Sequence, residues 1–269
     1  MGKLVRELMR PSLISCQENT RLGEAVAMLA RHRVHALIVS DPGGLAVGVL
    51  SDIDILAGAW LAGDEAGLAA LRSLTVGQMM SKPAISVDAD TPAADAAAQM
   101  LAQHIHRLVV SELERPVGVI AVSDLIGGLA VDGVEHSTVA AAMSQGIVVC
   151  RETTPIRAAA RAMHERHSRS LVVVNPHGRP LGVVTGFDLL PLYSEGDTGQ
   201  PVSSVMHAPH TIKPQASLRE AAATMLREHI HRLVVVDPSE PESMPLGLIS
   251  TADIVAEMAA PGSTEKSRA

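Results

Sequence analysis

The heptapeptide HIHRLVV occurs twice in the chain, at 104–110 and at 229–235. Each copy sets two histidines and an arginine directly ahead of an apolar run. Such residues can ligate a metal, bind an anion or form the polar edge of a strand. A metal needs three or four convergent ligands, and His-x-His supplies at most two. No cysteine or carboxylate at ligand spacing accompanies either copy, so metal is the weakest of the three readings. An anion suits them better, because arginine offers a planar fork matched to phosphate oxygens and histidine donates from one or both ring nitrogens. HERH (164–167) lacks the HExxH frame of a zinc protease, and no Gly-x-x-x-x-Gly-Lys loop is present for phosphoryl transfer on a P-loop.

A second set of residues recurs four times. The segments GVLSDIDIL (48–56), GVIAVSDLI (118–126), GVVTGFDLL (182–190) and GLISTADIV (247–255) each begin with glycine, and an aspartate follows six residues later. The glycines are Gly48, Gly118, Gly182 and Gly247, and the aspartates are Asp54, Asp124, Asp188 and Asp253. A glycine repeated at that place allows close approach of a ligand to the backbone. Each aspartate falls in the first turn of a predicted helix, where a carboxylate can also serve only to cap the helix and favour its positive end.

These residues must be positioned by a repeated unit. Ahead of each glycine lies an apolar strand: VHALIVSD (34–41), IHRLVVSE (105–112), SRSLVVVN (168–175) and IHRLVVVD (230–237). Ahead of that is an Ala- and Met-rich stretch whose apolar residues recur at three- and four-residue intervals, which predicts a helix with one buried face. Met28, Met100, Met163 and Met225 fall on that face as packing residues, and Thr20, Thr91, Thr153 or Thr154, and Ser217 are the predicted N-caps. A short first strand, such as LISC (13–16) or AISV (84–87), follows Met-x-x-Pro-like text: MRP, MSKP and MHAP. The predicted unit is strand, helix, strand, strand, helix, and about 55 residues is too little to bury much core alone, so the units ought to pair.

The offsets show how. Cys16 to Cys150, Met9 to Met143 and Gly48 to Gly182 all differ by 134, so the first and third units correspond, and HIHRLVV matches the second to the fourth. The chain reads as two modules, 1–130 and 137–258, each of two units: about 4–57 and 75–128, then 138–192 and 201–258. A helical insertion at 57–74, a bridge at 127–138 and a loose tail at 259–269 complete the division.

Aligned by unit, the residues before the second strand form two columns. The first is His35, His106, Arg169 and His231, and the second is Ala36, Arg107, Ser170 and Arg232. If four units surround a pseudo-symmetric centre, these columns converge on one anionic ligand. His104 and His229, two residues ahead of the first column, fall to helix C-termini.

Composition narrows the function. The 269 residues carry a formal net charge of −7, which argues against general nucleic-acid binding. Phe187, Tyr193 and Trp60 are the only aromatics, so a flat ligand must be held by aliphatic side chains and backbone. Cys16 and Cys150 lie in no Cys-x-x-Cys or zinc spacing and read as core residues in a reducing, cytoplasmic setting. The N-terminal MGKLVRELMRPSL lacks the apolar stretch of a signal peptide, and no segment reaches the roughly 18 apolar residues of a membrane span, which predicts a protein with no membrane association.

The four Gly-apolar-apolar segments that close on Asp, each after a basic-then-apolar strand, resemble the CBS-domain family, arranged as two CBS pairs (Bateman modules) over nearly the whole chain. The second-strand text is similar to the nucleotide-binding gamma subunits of AMP-activated protein kinase. The resemblance implies an α+β fold of four β-α-β-β-α repeats in a pseudo-symmetric disk. It implies a non-catalytic regulatory protein, whose ligand is an adenine nucleotide (AMP, ADP or ATP) and which has no catalytic cofactor. Asp54, Asp124, Asp188 and Asp253 would bond the ribose. Ser51, Thr185 and Ser250 would lie near ribose or phosphate, with Ala121 breaking that pattern in the second unit. His35, His106, Arg107, Arg169, His231 and Arg232 would meet the phosphates. Family members also bind S-adenosylmethionine, NAD or metal ions, and a ligand-free oligomerisation scaffold, including a homodimer, is a reading of a different class. A regulated partner protein is implied but not visible.

Overall fold

The computed structural model describes residues 2–61, 65–128, 137–190, 199–240 and 242–259. The first repeat opens with the short helix α1 (Val5–Leu8), then β1 (Ser15–Gln17), helix α2 (Leu22–His32), β2 (Ala36–Ser40), β3 (Ala46–Ser51) and α3 (Asp52–Leu61). After α4 (Glu65–Ser73) come β4 (Ser86–Asp88), α5 (Ala93–Ala102), β5 (Arg107–Glu112), β6 (Arg115–Ala121) and α6 (Val122–Gly128). The third repeat holds α7 (Val139–Ala142), β7 (Val149–Arg151), α8 (Ile156–Glu165), β8 (Ser170–Val174), β9 (Pro180–Thr185) and a 3-10 turn, Phe187–Leu189. The fourth holds β10 (Thr211–Ile212), α9 (Leu218–Glu228), β11 (Arg232–Val235), β12 (Gly247–Ser250) and α10 (Thr251–Ala259).

Each repeat builds a three-stranded sheet in which the first strand runs parallel to the second and the third returns antiparallel. A parallel neighbour requires a crossover, which the long helix of each repeat provides. The middle of each second strand, Leu37 to Val39, Leu108 to Val110, Leu171 to Val174 and Leu233 to Val235, is apolar and buried because both faces are covered. In β8, Leu171 and Val173 pack under α8, while Val172 and Val174 meet Val234 of the fourth repeat.

The predicted insertion at 57–74 is the second half of α3 with α4, and residues 62–64 lie outside the described residues. So do 129–136 of the predicted bridge and 260–269 of the predicted tail.

Helix faces follow the predicted period: Met100, Met163 and Met225 are fully buried, and Met28 is half-buried against the core of its repeat. The predicted caps need correction. Ser217 does cap α9, accepting from the Glu220 amide at 3.1 Å. Thr20 and Thr154 instead close the turn before the helix, accepting from the Gln17 and Arg151 amides, and α2, α5 and α8 start without a side-chain cap. A hydroxyl one residue earlier reaches back to the strand more easily than forward into the helix.

Within each module the sister repeats exchange straps, formed by the Met-x-x-Pro-like text. Ser81 bridges Val49 of the first repeat, and Arg10 bridges Val119 of the second; Ser144 bridges Leu248, and His207 bridges Val183. The repeated glycines are explained here, and they do not serve a ligand as expected. A Cβ on Gly118 would stand 2.7 Å from the Arg10 carbonyl oxygen, and one on Gly247 would stand 2.6 Å from that of Ser144. Gly48 and Gly182 face Met80–Ser81 and Met206–His207 in the same way. The missing side chain admits the sister repeat's backbone.

The modules join through helices. One core is shared by the second and fourth repeats, joining Leu125 and Ile126 of α6 to Ile254 and Val255 of α10. Leu190 of the third repeat enters the core of the first, and Leu56 of α3 enters that of the third. All four repeats therefore meet about one centre.

Candidate functional site

Strand register brings the two sets of recurring residues together. Arg107 pairs with Ala121 and Arg232 with Ser250 across antiparallel strands, as Ala36 pairs with Ser51 and Ser170 with Thr185. The aspartate sits three residues past that pair, in the first turn of the following helix. The basic columns and the carboxylates thus share one end of every sheet.

The approach to the columns is also repeated. Arg33, His104, His167 and His229 adopt left-handed backbone, φ 51, 53, 50 and 54°. The next amide in each case closes back five residues, as Val34 to Leu29 and Ile230 to Met225 do. This Schellman closure reverses the chain and aims the following residue, His35, His106, Arg169 or His231, at the strand entrance. His104 and His229 belong to these helix ends, as their position suggested, through their backbone.

Each aspartate does two jobs. One oxygen takes the capping role: Ser51 donates its amide and hydroxyl to Asp54 Oδ2 at 2.8 and 2.6 Å. Thr185 does the same for Asp188 at 2.7 and 2.7 Å, and Ser250 for Asp253 at 2.7 and 2.6 Å. Asp124 Oδ2 receives the Ala121 amide alone, at 2.9 Å, since Ala121 has no hydroxyl to add. This reciprocal box fixes the carboxylate. The hydroxyls of Ser51, Thr185 and Ser250 are thereby committed to the aspartate. The other oxygen, Oδ1, faces the strap of the sister repeat.

The columns converge. His35 of the first repeat lies edge-on to Phe187 of the third at 5.2 Å and to His231 of the fourth at 6.1 Å between ring centroids. Its Nδ1 is 2.9 Å from Oδ2 of the buried Asp52. Burial, then the charges of Arg169, Arg107 and Arg232, lower His106 to about 4. Burial also lowers Arg232 to about 10, with Arg169 adding to the shift and Asp52, Asp188 and Asp253 opposing it. Arg107 is lowered by burial and by Arg169, against Asp52, Asp54 and Asp124. His231 is lowered by burial, then by His35, Arg232 and Arg10.

Among the described residues no carboxylate comes within 4.0 Å of the Arg107, Arg169 or Arg232 guanidinium. Arg107, Arg169 and Arg232 are each partly exposed, so the group remains within reach of solvent. This is a partly exposed, cationic junction with aspartates around it. A cavity of about 150 Å³ between α3 and α8 ends at Arg169, beside His164 and His167. A groove of about 370 Å³ on the outer face of the third repeat, lined by Cys150, Ala158 and Met244, holds none of the predicted site residues.

Cys16 is buried, and burial with Glu24 raises its thiol to about 11; Cys150 is half-buried, and burial raises it as well. Neither is an activated nucleophile. Among the described residues no group of three or more His, Cys, Asp or Glu is placed to hold a metal ion, and no helix is long and apolar enough to cross a membrane.

Several residues of the junction were not among those predicted: Asp52, Phe187 and the strap residues Arg10, Ser81, Ser144 and His207. A signal existed for both sets. Asp52 is the sole acid in a column that otherwise reads Val122, Gly186 and Thr251, and the strap residue is whatever follows the repeated methionine.

Four sheets of one topology, exchanged straps and a shared basic centre define a protein of four tandem repeats. The CBS domain model matches residues 5–59, 76–131, 139–195 and 202–260, and the chain belongs to the CBS-domain family. It is 26% identical over 275 residues to an uncharacterized protein of Methanocaldococcus jannaschii, with 95% of this chain and 62% of that one covered. It is 29% identical over 119 residues to the human 5'-AMP-activated protein kinase subunit gamma-3, covering 40% of this chain and 24% of that one. The chain thus spans under two thirds of the length of these relatives. In fold it is similar, with a TM-score of 0.82 and 18% identity, to a crystal structure from Methanocaldococcus jannaschii proposed as an archaeal homolog of g-AMPK, with 94% of this chain and 99% of that one covered. A conserved Pyrococcus horikoshii protein of unassigned function superposes at a TM-score of 0.63 with 21% identity, over 94% of this chain and 99% of that one.

Proposed function

We propose that the chain is a non-catalytic regulatory module that binds adenine nucleotides, AMP, ADP or ATP, in the clefts between its repeats. One observation carries this reading: Arg107, Arg169 and Arg232, from three different repeats, lie close enough for Arg169 to lower both of the others, and among the described residues no carboxylate is within 4.0 Å of any of them. Like charges held together oppose folding, and phosphate oxygens relieve that repulsion with charge-assisted hydrogen bonds of about 1.5–3 kcal/mol each. The ribose is bonded by the aspartates at the helix starts, and the base lies against aliphatic strand residues. The same excess of positive charge disfavours the sulfonium of S-adenosylmethionine relative to a phosphate.

Both modules contribute cations to the junction, so a bound phosphate ties them together. Its effect on the α3–α8 and α6–α10 contacts is the route by which occupancy is signalled to a partner protein. Titration calorimetry with AMP, ADP, ATP, NAD and S-adenosylmethionine tests the reading. Heat and a thermal shift with the adenine nucleotides are expected. Silence with all five ligands overturns the reading in favour of a ligand-free scaffold. In that case Asp188→Ala with Asp253→Ala leaves assembly unchanged and there is no ligand response to lose.

A further inference from the structure

The four clefts are not equivalent, and the difference lies in the straps. In every repeat the aspartate Oδ2 is already engaged by the backbone of its own turn, so Oδ1 is the oxygen left for a ligand hydroxyl. What faces Oδ1 is the residue after the repeated methionine of the sister repeat. Arg10 Nε stands 3.0 Å from Asp124 Oδ1, and His207 Nε2 stands 2.8 Å from Asp188 Oδ1. In the other two clefts the neighbour is a serine: Ser81 Oγ to Asp54 Oδ1 and Ser144 Oγ to Asp253 Oδ1, each at 3.4 Å.

We infer that this strap residue decides which clefts accept an adenosine ligand: Arg10 and His207 latch Asp124 and Asp188, whereas Ser81 and Ser144 leave Asp54 and Asp253 open. The inference deepens the nucleotide-binding reading and rests on it. A ribose diol offers neutral hydroxyl donors. Against a serine at 3.4 Å it displaces only a long, weak contact, but against Arg10 it must break a charge-assisted bond to a carboxylate whose side chain is 10% exposed. The latch cannot drift off with its strap. The Arg10 and Val119 amides bond each other's carbonyls at 2.9 and 3.0 Å, and those of His207 and Val183 do so at 3.0 and 2.9 Å. Asp124 is further handicapped by Ala121, which supplies no hydroxyl to hold its Oδ2. The two open clefts belong to the first and fourth repeats, so each module keeps one.

The latch side chains are 67% and 72% exposed, so they can be exchanged without disturbing the core. AMP stoichiometry is read by titration calorimetry on the whole chain. The expected count is two sites for the unmodified protein and a third for His207→Ser. Ser144→Arg should remove one, as should Asp253→Asn. Thermal unfolding of each variant separates loss of a site from loss of the fold. Binding with four sites, or a count that ignores the strap substitutions, overturns the inference while leaving nucleotide binding intact. Absence of heat with every adenine nucleotide overturns both.

Discussion

His35 of the first repeat is held by Asp52, Nδ1 to Oδ2 at 2.9 Å, at the junction where Arg107 and Arg232 both feel the Asp52 charge. Asp52 is a built-in anion among the cations proposed to meet phosphate. It therefore stabilises the unliganded junction and opposes an incoming anion. Asp52→Asn should tighten ATP binding by roughly tenfold, on the order of 1.4 kcal/mol, which is what one unit charge exerts on another about 12 Å away at an effective dielectric near 20. The unliganded variant should lose about 1–3 kcal/mol, because His35 loses a buried charged acceptor and the arginines lose a nearby negative charge. Calorimetry and thermal unfolding read the two effects, which have opposite signs.

The histidines set the pH dependence. His106 is lowered to about 4 and His231 is lowered as well, each by burial first, so both are neutral in the unliganded fold near neutral pH. A phosphate beside them favours their protonated forms, so binding takes up protons and nucleotide affinity should rise as pH falls from 7.5 towards 6. Titrations in two buffers of different ionisation enthalpy should give a proton uptake that shrinks in His106→Gln. For folding the sign is opposite. A histidine whose folded value lies below 6.5 binds fewer protons folded than unfolded, so its contribution is intact above 6.5. It is lost as pH falls through the window from 6.5 to about 4. Unliganded protein should therefore lose thermal stability in that window, and saturating nucleotide should restore part of it.

Much of this arrangement was legible in the residues. Gly, Asp and the first basic column recur in register four times, and a period that strict can only come from one folding unit used four times. Which face of the glycine was crowded was not legible. Close approach of a ligand and close approach of a sister strap demand the same missing Cβ, and the strap's docking register depends on tertiary pairing. Asp52 was hidden for a related reason: it stands two residues from the repeated Asp54, and only the third dimension shows that it points into the junction. The N-caps failed at the level of a single residue, since Thr20 and Thr154 can satisfy the strand end or the helix start and the strand end won.

The straps make a stability prediction that a ligand role for the glycines would not. Gly118→Ala and Gly247→Ala place a Cβ 2.7 and 2.6 Å from the carbonyl oxygens of Arg10 and Ser144, where backbone must give way. Each should cost about 1–3 kcal/mol, with roughly 2–4 °C of Tm lost per kcal/mol. Gly23→Ala is the matched control, with nothing within 4 Å in α2. It should leave Tm unchanged or raise it slightly, since alanine favours a helix by about 0.5–1 kcal/mol.

A final prediction separates affinity from stability at the basic junction. Arg107 and Arg232 are both shifted down by burial and by Arg169, so each carries a cost in the unliganded protein. Replacing either by glutamine removes a repelling charge while keeping a shorter, neutral hydrogen-bonding side chain. Arg107→Gln and Arg232→Gln should each raise the Tm of the unliganded protein, by about 2–4 °C for a gain near 1 kcal/mol. Each should also weaken AMP binding by roughly ten- to a hundredfold, the loss of one charge-assisted phosphate contact of about 1.5–3 kcal/mol. The nucleotide-induced thermal shift should shrink correspondingly. A variant that gains no stability and keeps its full AMP-induced shift would show that these arginines serve the fold and not the ligand.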